Sequence, residues 1–322
     1  MTNKPFPVPG SRSGRCFLCP RMCGADRSKR PGTCGAGCEM EVSKIMLHHW
    51  EEPPVSGPPV SGPDPSDDGH GSGAVFFTHC SLGCVYCQNG KISHEGSSGT
   101  VYSPRQLAEE FVKLQKSGAY NVNLVTPTHY ADLLCETVRM ARGMGLTVPV
   151  VWNTGGYERP ETVEALTDAG TVDIWLTDFK YMSPDLARRY SHAEDYPERA
   201  MASLVRMVKG TGPCVFGEDG MMKRGVIVRH LVLPGRREDS IDVLRQIAES
   251  VDVKSVRLSL MAQYTPDFLP PPVPGSPDPW RTIRRKVTTF EYEKVVEEAA
   301  RLGFEGWTQE RSSATKRFTP DF

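Results

Sequence analysis

The chain of 322 residues carries 38 basic and 39 acidic side chains, a formal net charge of −1. That balance gives no electrostatic case for a nucleic-acid or membrane partner, and no apolar run approaches the roughly 18 residues a membrane span requires. The length allows one large or two ordinary domains with a sizeable core.

Met1 to Arg30 is rich in Pro, Arg and Gly and has no apolar stretch of the signal-peptide kind. Of ten cysteines, eight fall in two tight clusters. Such clustering is metal-ligand usage rather than a disulfide framework, so a reducing cytoplasm is the expected compartment.

Residues 1–50 read as a cysteine-rich head with the spacing Cys16-x2-Cys19-x3-Cys23-x10-Cys34-x3-Cys38. Cys16, Cys19, Cys23 and Cys34 make a sufficient ligand set for a second metal site, with Cys38 spare or substituting. The segment has little apolar content, so a metal can supply the folding energy that a core cannot. Thiolates alone do not discriminate zinc from an iron–sulfur cluster, and unliganded thiols in a loose arm are the plain alternative. Arg12, Arg15, Arg21, Arg27, Lys29 and Arg30 read as a solvated basic face.

Residues 51–73 read as a linker. Pro-Pro-Val-Ser-Gly occurs twice in tandem, at 53–57 and 58–62, in a stretch too rich in Pro, Gly and Ser to be expected to pack. His48, His49, Glu51 and Glu52 are metal-capable, but exposed polar residues beside a linker are the commoner case.

The apolar run Ala74 to Phe77 shows no alternation, which suits a strand buried on both faces. Directly after it come Cys80, Cys84 and Cys87. Three thiolates on one short loop can hold three irons of a cubane [4Fe-4S] cluster and leave the fourth open to a ligand. A zinc site completed by His79 or His94 is the rival, and buried cysteines that only pack are the bland one.

Further strands are expected at 121–126, 148–153, 172–177, 226–233 and 255–261, with amphipathic stretches between them. The clearest helix runs from Pro104 to Ser117, with Leu107, Phe111 and Leu114 on one face, Ser103 as N-cap and Gln106 completing a capping box. Ser183-Pro184 opens another helix. At roughly 30 residues per strand–helix unit, six units fit between 74 and about 263. The expected fold class is therefore α/β, a partial, incompletely closed (β/α)6 barrel over 74–311. A last helix is expected near 290–302, a short strand at 306–309 and a featureless tail at 312–322.

Active sites of such barrels form at the C-terminal ends of the parallel strands, and polar residues gather there. The candidates are Thr126 and Thr128 after the second strand, Asn153 and Thr154 after the third, Asp178 and Lys180 after the fourth and Gln263 after the sixth. Asp178 and Lys180 are two apart and face the same side of a strand; a charged pair buried there is costly unless something uses it. Arg229 and His230 point to opposite faces, so only one reaches the lumen.

The segments Cys-Phe-Leu-Cys-Pro-Arg-Met-Cys-Gly, Glu-Glu-Pro-Pro-Val-Ser-Gly, Phe-Phe-Thr-His-Cys-Ser-Leu-Gly-Cys-Val-Tyr-Cys-Gln-Asn, Trp-Asn-Thr-Gly-Gly-Tyr-Glu, Thr-Asp-Phe-Lys-Tyr and Val-Arg-His-Leu-Val-Leu-Pro-Gly resemble one family. It is that of the radical S-adenosylmethionine (SAM) proteins related to pyruvate formate-lyase activating enzyme, in the branch with an N-terminal cysteine head. The resemblance covers about residues 15–310. It implies a [4Fe-4S] cluster on Cys80, Cys84 and Cys87, SAM as cosubstrate and hydrogen abstraction from a protein or peptide, first of all a glycyl-radical enzyme. It also implies a low-potential electron donor such as flavodoxin or ferredoxin. Asn153, Thr154, Asp178 and Lys180 are the positions it carries over. The family's Gly-Gly-Glu after the second strand is absent, and Thr126-Pro127-Thr128 stands in its place. Modification of another peptide or a small molecule is the rival reaction; a metal-binding electron-transfer or scaffold protein is the rival of another class.

Overall fold

A computed structural model describes residues 6–8, 10, 14–58, 69–94 and 98–309. The second Pro-Pro-Val-Ser-Gly unit beyond Pro58 and the tail from 312 lie outside the described residues. In chain order the elements are β1 (Met40–His48), α1 (Pro53–Ser56), β2 (Gly71–Phe77), α2 (Gly90–Ser93), β3 (Thr100–Tyr102), α3 (Pro104–Lys116), β4 (Ala119–Val125) and α4 (Ala131–Gly143). They continue with β5 (Val150–Thr154), α5 (Pro160–Asp168), β6 (Ile174–Asp178), α6 (Pro184–Ser191), α7 (Tyr196–Thr211), β7 (Val215–Phe216) and β8 (Met222–Leu231). The last are α8 (Arg237–Ser250), β9 (Val256–Met261), α9 (Thr289–Arg301) and β10 (Gly306–Thr308).

One sheet runs in the order β10-β9-β8-β6-β5-β4-β2-β1-β3. From β2 through β10 every neighbouring pair is parallel. At the other edge β1 pairs antiparallel with both β2 and β3. The sheet is not closed, and the fold is mixed α/β with helices crossing between parallel strands. The six apolar runs read from the sequence fall on β2, β4, β5, β6, β8 and β9. The capping box of α3 is formed by Ser103 and Gln106, and the side chain of Ser183 caps α6.

The structure corrects the reading of the head and linker. The head does not extend to residue 50 as a separate unit, because its last stretch is β1, hydrogen-bonded along β2. Glu51 to Gly57 is packed rather than free, and β2 begins at Gly71, inside the span assigned to the linker. Two prolines pre-set the first turn of α1, and Val55 is fully buried with Val151, Ile174, Leu176, Met222 and Ile227. These side chains form one face of the sheet, so α1 plugs its interior. Asn121 on β4 fixes α1 by donating to the Val55 carbonyl at 2.6 Å. The opposite face, with Trp152, Trp175, Val122, Leu124, Val226 and Val228, packs under the helices. Residues 213–224 form a small antiparallel hairpin, β7 against the start of β8. It lies at the N-terminal end of the parallel strands, away from the strand ends that carry the site.

Candidate active site

A cavity of about 240 Å³ opens above the C-terminal ends of the strands, lined by the three loop cysteines and by residues from β4, β5, β6, β8 and β9. The cysteine loop leaves β2 through His79, whose φ is +71°, and turns again at Gly83, φ +72°. These bends wrap the loop back over the strand end. Each sulfur meets a hydrogen-bonding group: Leu82 N–H donates to Cys80 Sγ at 3.4 Å, the Ser191 hydroxyl lies 3.0 Å from Cys84 Sγ, and the Ser93 hydroxyl lies 3.4 Å from Cys87 Sγ. Burial pushes all three thiols up, Cys87 to about 12, while Lys180 pulls Cys80 and Cys84 the other way. Ser191 is itself held by Tyr181, which bonds Tyr86 on the loop.

Beneath the loop lies a charge network. Lys180 Nζ donates to Asp178 Oδ2 at 2.5 Å, and the two side chains are 16% and 17% exposed. Arg229 on β8 donates through Nε to Asp178 Oδ1 at 2.8 Å, through Nη1 to Glu51 Oε2 at 3.2 Å, and through Nη2 to Asn153 Oδ1 at 2.6 Å. Glu51 Oε1 also accepts from Asn123 at 3.0 Å and Asn153 at 3.1 Å. Burial alone would raise Asp178, but Arg229 and Lys180 outweigh it and hold the carboxyl below its usual range. Burial works against the Lys180 ammonium too, yet Asp178 keeps its pKa well above the ordinary lysine value. Two cations thus face two carboxylates, which is the condition for charges to persist in such a place.

Thr126 takes a left-handed backbone, φ +59°. A β-branched residue adopts that conformation only under strain, and this is where the resembled family carries its glycines. Next to it the hydroxyls of Thr128 and Thr154 both donate to Oε1 of Glu158, which is fully buried. Burial drives the Glu158 carboxyl up to about 7 against the lowering effect of those hydroxyls. Gln263 lies on the far wall of the cavity, in contact with Met261 and Gln309.

All the candidates at the strand ends therefore line one cavity. Sequence reasoning missed Glu158, Asn123 and the central place of Arg229, and it favoured an exposed role beside the linker for Glu51. His48 and Glu52, taken as exposed, are buried; burial lowers His48 to about 4. One signal was available for Asn123: polar residues at period two, Asn121 and Asn123, inside an apolar strand.

The head is docked on this site. Arg21 donates to the carbonyls of Ser81 at 2.8 Å and His192 at 2.6 Å, and its guanidinium lies over the Tyr157 ring. Arg159 and Thr162, at the start of α5, hold the Phe17 and Leu18 carbonyls at 2.6 and 2.8 Å. Arg27 is buried and donates to the Ala36 and His129 carbonyls. Arg21 and Arg27 therefore dock the head instead of forming a solvated face.

A model of the radical SAM superfamily matches residues 74–248, from β2 into α8. An uncharacterized protein of Methanocaldococcus jannaschii is 27% identical over 299 residues, covering 90% of this chain and 75% of that protein. Among solved structures, Streptococcus suis SuiB bound to S-adenosylmethionine aligns with 72% of this chain and 48% of its own, at 13% identity and a TM-score of 0.48. A radical SAM methyltransferase from Sphaerobacter thermophilus aligns with 72% of this chain and 66% of its own, at 12% identity and a TM-score of 0.46. The chain thus spans about half the length of SuiB. Because the family model covers more than half of the sequence and contains the three-cysteine loop and the strands β4, β5, β6 and β8 whose ends frame the cavity, the chain belongs to the radical SAM superfamily.

Proposed function

We propose that this radical SAM enzyme abstracts hydrogen from a protein or peptide partner, with activation of a glycyl-radical enzyme as the first reading and a low-potential flavodoxin- or ferredoxin-like protein as electron donor. Superfamily membership implies a [4Fe-4S] cluster and SAM. The loop fits the cluster: three thiols at one cavity wall each lie within hydrogen-bond reach of an N–H or hydroxyl group, and a donor there favours anionic sulfur. When bound, cluster and SAM together supply one-electron cleavage of the bond from sulfur to the 5′-carbon, giving a 5′-deoxyadenosyl radical that takes hydrogen from the substrate.

The chain's own residues bind and orient. Cys80, Cys84 and Cys87 would hold the cluster as thiolates. Lys180 offers an ammonium to the SAM carboxylate, and it can turn towards that group because Arg229 continues to balance Asp178. The hydroxyl protons of Thr128 and Thr154 are committed to Glu158, so their oxygens present lone pairs to the cavity. Those lone pairs suit a cationic N–H donor such as the SAM ammonium. Leu82, Phe76 and Tyr157 line the apolar part of the wall and limit water.

The observation that carries the reading is that the three thiols and the Lys180–Asp178–Arg229–Glu51 network line the same cavity. The protein or peptide substrate rests on the resemblance of the sequence motifs. Anaerobically reconstituted protein with a strong reductant should form 5′-deoxyadenosine, and each of Cys80→Ala, Cys84→Ala and Cys87→Ala should abolish it. Deuterium carried from a glycine-labelled glycyl-radical enzyme into 5′-deoxyadenosine supports the substrate class. Transfer only from small molecules rejects it.

A further inference from the structure

The head carries five thiols that the reaction above does not use, and its turns draw four of them together. Cys16 and Cys19 are buried, Cys23 and Cys34 half-buried, and none forms a disulfide. Backbone bonds from Cys16 N to Ala25 O and from Gly24 N to Cys16 O, both 3.0 Å, fold the Cys23 turn back onto Cys16. A second turn, Gly35 N to Gly32 O at 2.9 Å, sets Cys34 beside them. Gly32 lies against two of the sulfurs: a Cβ there would stand 3.3 Å from Cys34 Sγ and 3.6 Å from Cys23 Sγ.

Arg27 adds a charge argument. Arg27 as a whole is 3% exposed, its Nη1 lies 3.9 Å from Cys16 Sγ, and its Nη2 has no hydrogen-bond partner among the described residues. A cation so buried needs negative charge nearby, and a thiolate-ligated cluster provides it.

A single zinc ion would draw all four sulfurs to about 2.3 Å from one point. Among the described residues no three cysteine, histidine or acidic side chains gather in that way. Thiolates on the four irons of a cubane cluster stand farther apart, because each binds a different iron. We propose that Cys16, Cys19, Cys23 and Cys34 ligate a second iron–sulfur cluster, with Arg27 as its buried counter-cation. This centre abuts the SAM loop: a Cβ on Gly35 would stand 2.9 Å from His79 Nδ1, and Arg21 ties the head to Ser81. The proposal does not depend on the substrate of the enzyme.

The test is iron, acid-labile sulfide and zinc counted on the full chain prepared anaerobically. The triple variant Cys80→Ala, Cys84→Ala, Cys87→Ala leaves the head untouched and should keep about half of the wild-type iron and sulfide, taking four irons for each four-cysteine or SAM cluster. Adding Cys16→Ala and Cys19→Ala should remove the remainder, whereas Cys38→Ala should lose none. A folded triple variant without iron, or with one zinc per chain in place of the remaining iron, overturns the proposal. If the triple variant does not fold, the comparison is wild type against Cys16→Ala, Cys19→Ala: a twofold fall in iron supports the second cluster, and unchanged iron rejects it.

Discussion

The carboxylate of Asp178 is shared between two cations, and its firmer tie to the fold is Arg229 on the neighbouring strand, at 2.8 Å. Read from the sequence, Asp178 and Lys180 form a self-contained pair in which loss of either strands the other. The structure makes the two unequal. Lys180→Ala leaves Asp178 balanced by Arg229, whereas Asp178→Ala leaves Lys180 without a carboxylate. We expect Asp178→Ala to cost about 3–5 kcal/mol of folding stability and Lys180→Ala about 1–3 kcal/mol, while both weaken SAM binding. Denaturant unfolding and SAM titration on the same preparations check this; equal or reversed stability losses would refute it.

Glu158 gives a pH signature. Its folded pKa of about 7 exceeds the ordinary value of 4.5. Between those values the folded state holds a proton that the unfolded state has released, so stability from this group is full below 4.5 and declines as pH rises through 7. The decline is on the order of 3 kcal/mol. In Glu158→Gln the unfolding midpoint should fall less over that pH window than in wild type. Parallel pH profiles for the two proteins would contradict this assignment.

Thr126 holds a left-handed backbone at the lip of the cavity. Strain of this kind costs about 1–3 kcal/mol, and glycine adopts the conformation freely. Thr126→Gly should therefore leave stability unchanged or raise it by up to about 1 kcal/mol, despite the greater entropy of glycine in the unfolded chain. A loss above about 1 kcal/mol would show that the Thr126 side chain contributes contacts that outweigh the strain.

Val55 reports on the segment expected to be a free linker. It is fully buried against Val151, Ile174, Leu176 and Ile227, so Val55→Ala should cost about 2 kcal/mol. Val55→Asp should also disturb Glu51, four residues before it, and so lower SAM affinity. No change in the unfolding midpoint of Val55→Ala would restore the mobile-linker reading.

The sequence by itself determined the cysteine loop, the six parallel strands and the pairing of Asp178 with Lys180. Each of these is a local pattern: ligand spacing, apolar periodicity, or two side chains on one strand face. What the tertiary structure decided is everything that joins distant positions. Arg229 and Glu51 are 178 residues apart, and no local rule links a strand arginine to an acid that precedes a proline-rich stretch. Composition argued that 51–57 stays loose, because Pro, Gly and Ser bury little surface. Two prolines and one valine were enough to plug the sheet, since an open parallel sheet leaves an apolar inner face that something must cover. The basic head read as solvated for the same reason: charge is visible in a sequence, whereas the backbone carbonyls that Arg21 and Arg27 bind appear only when the chain has folded.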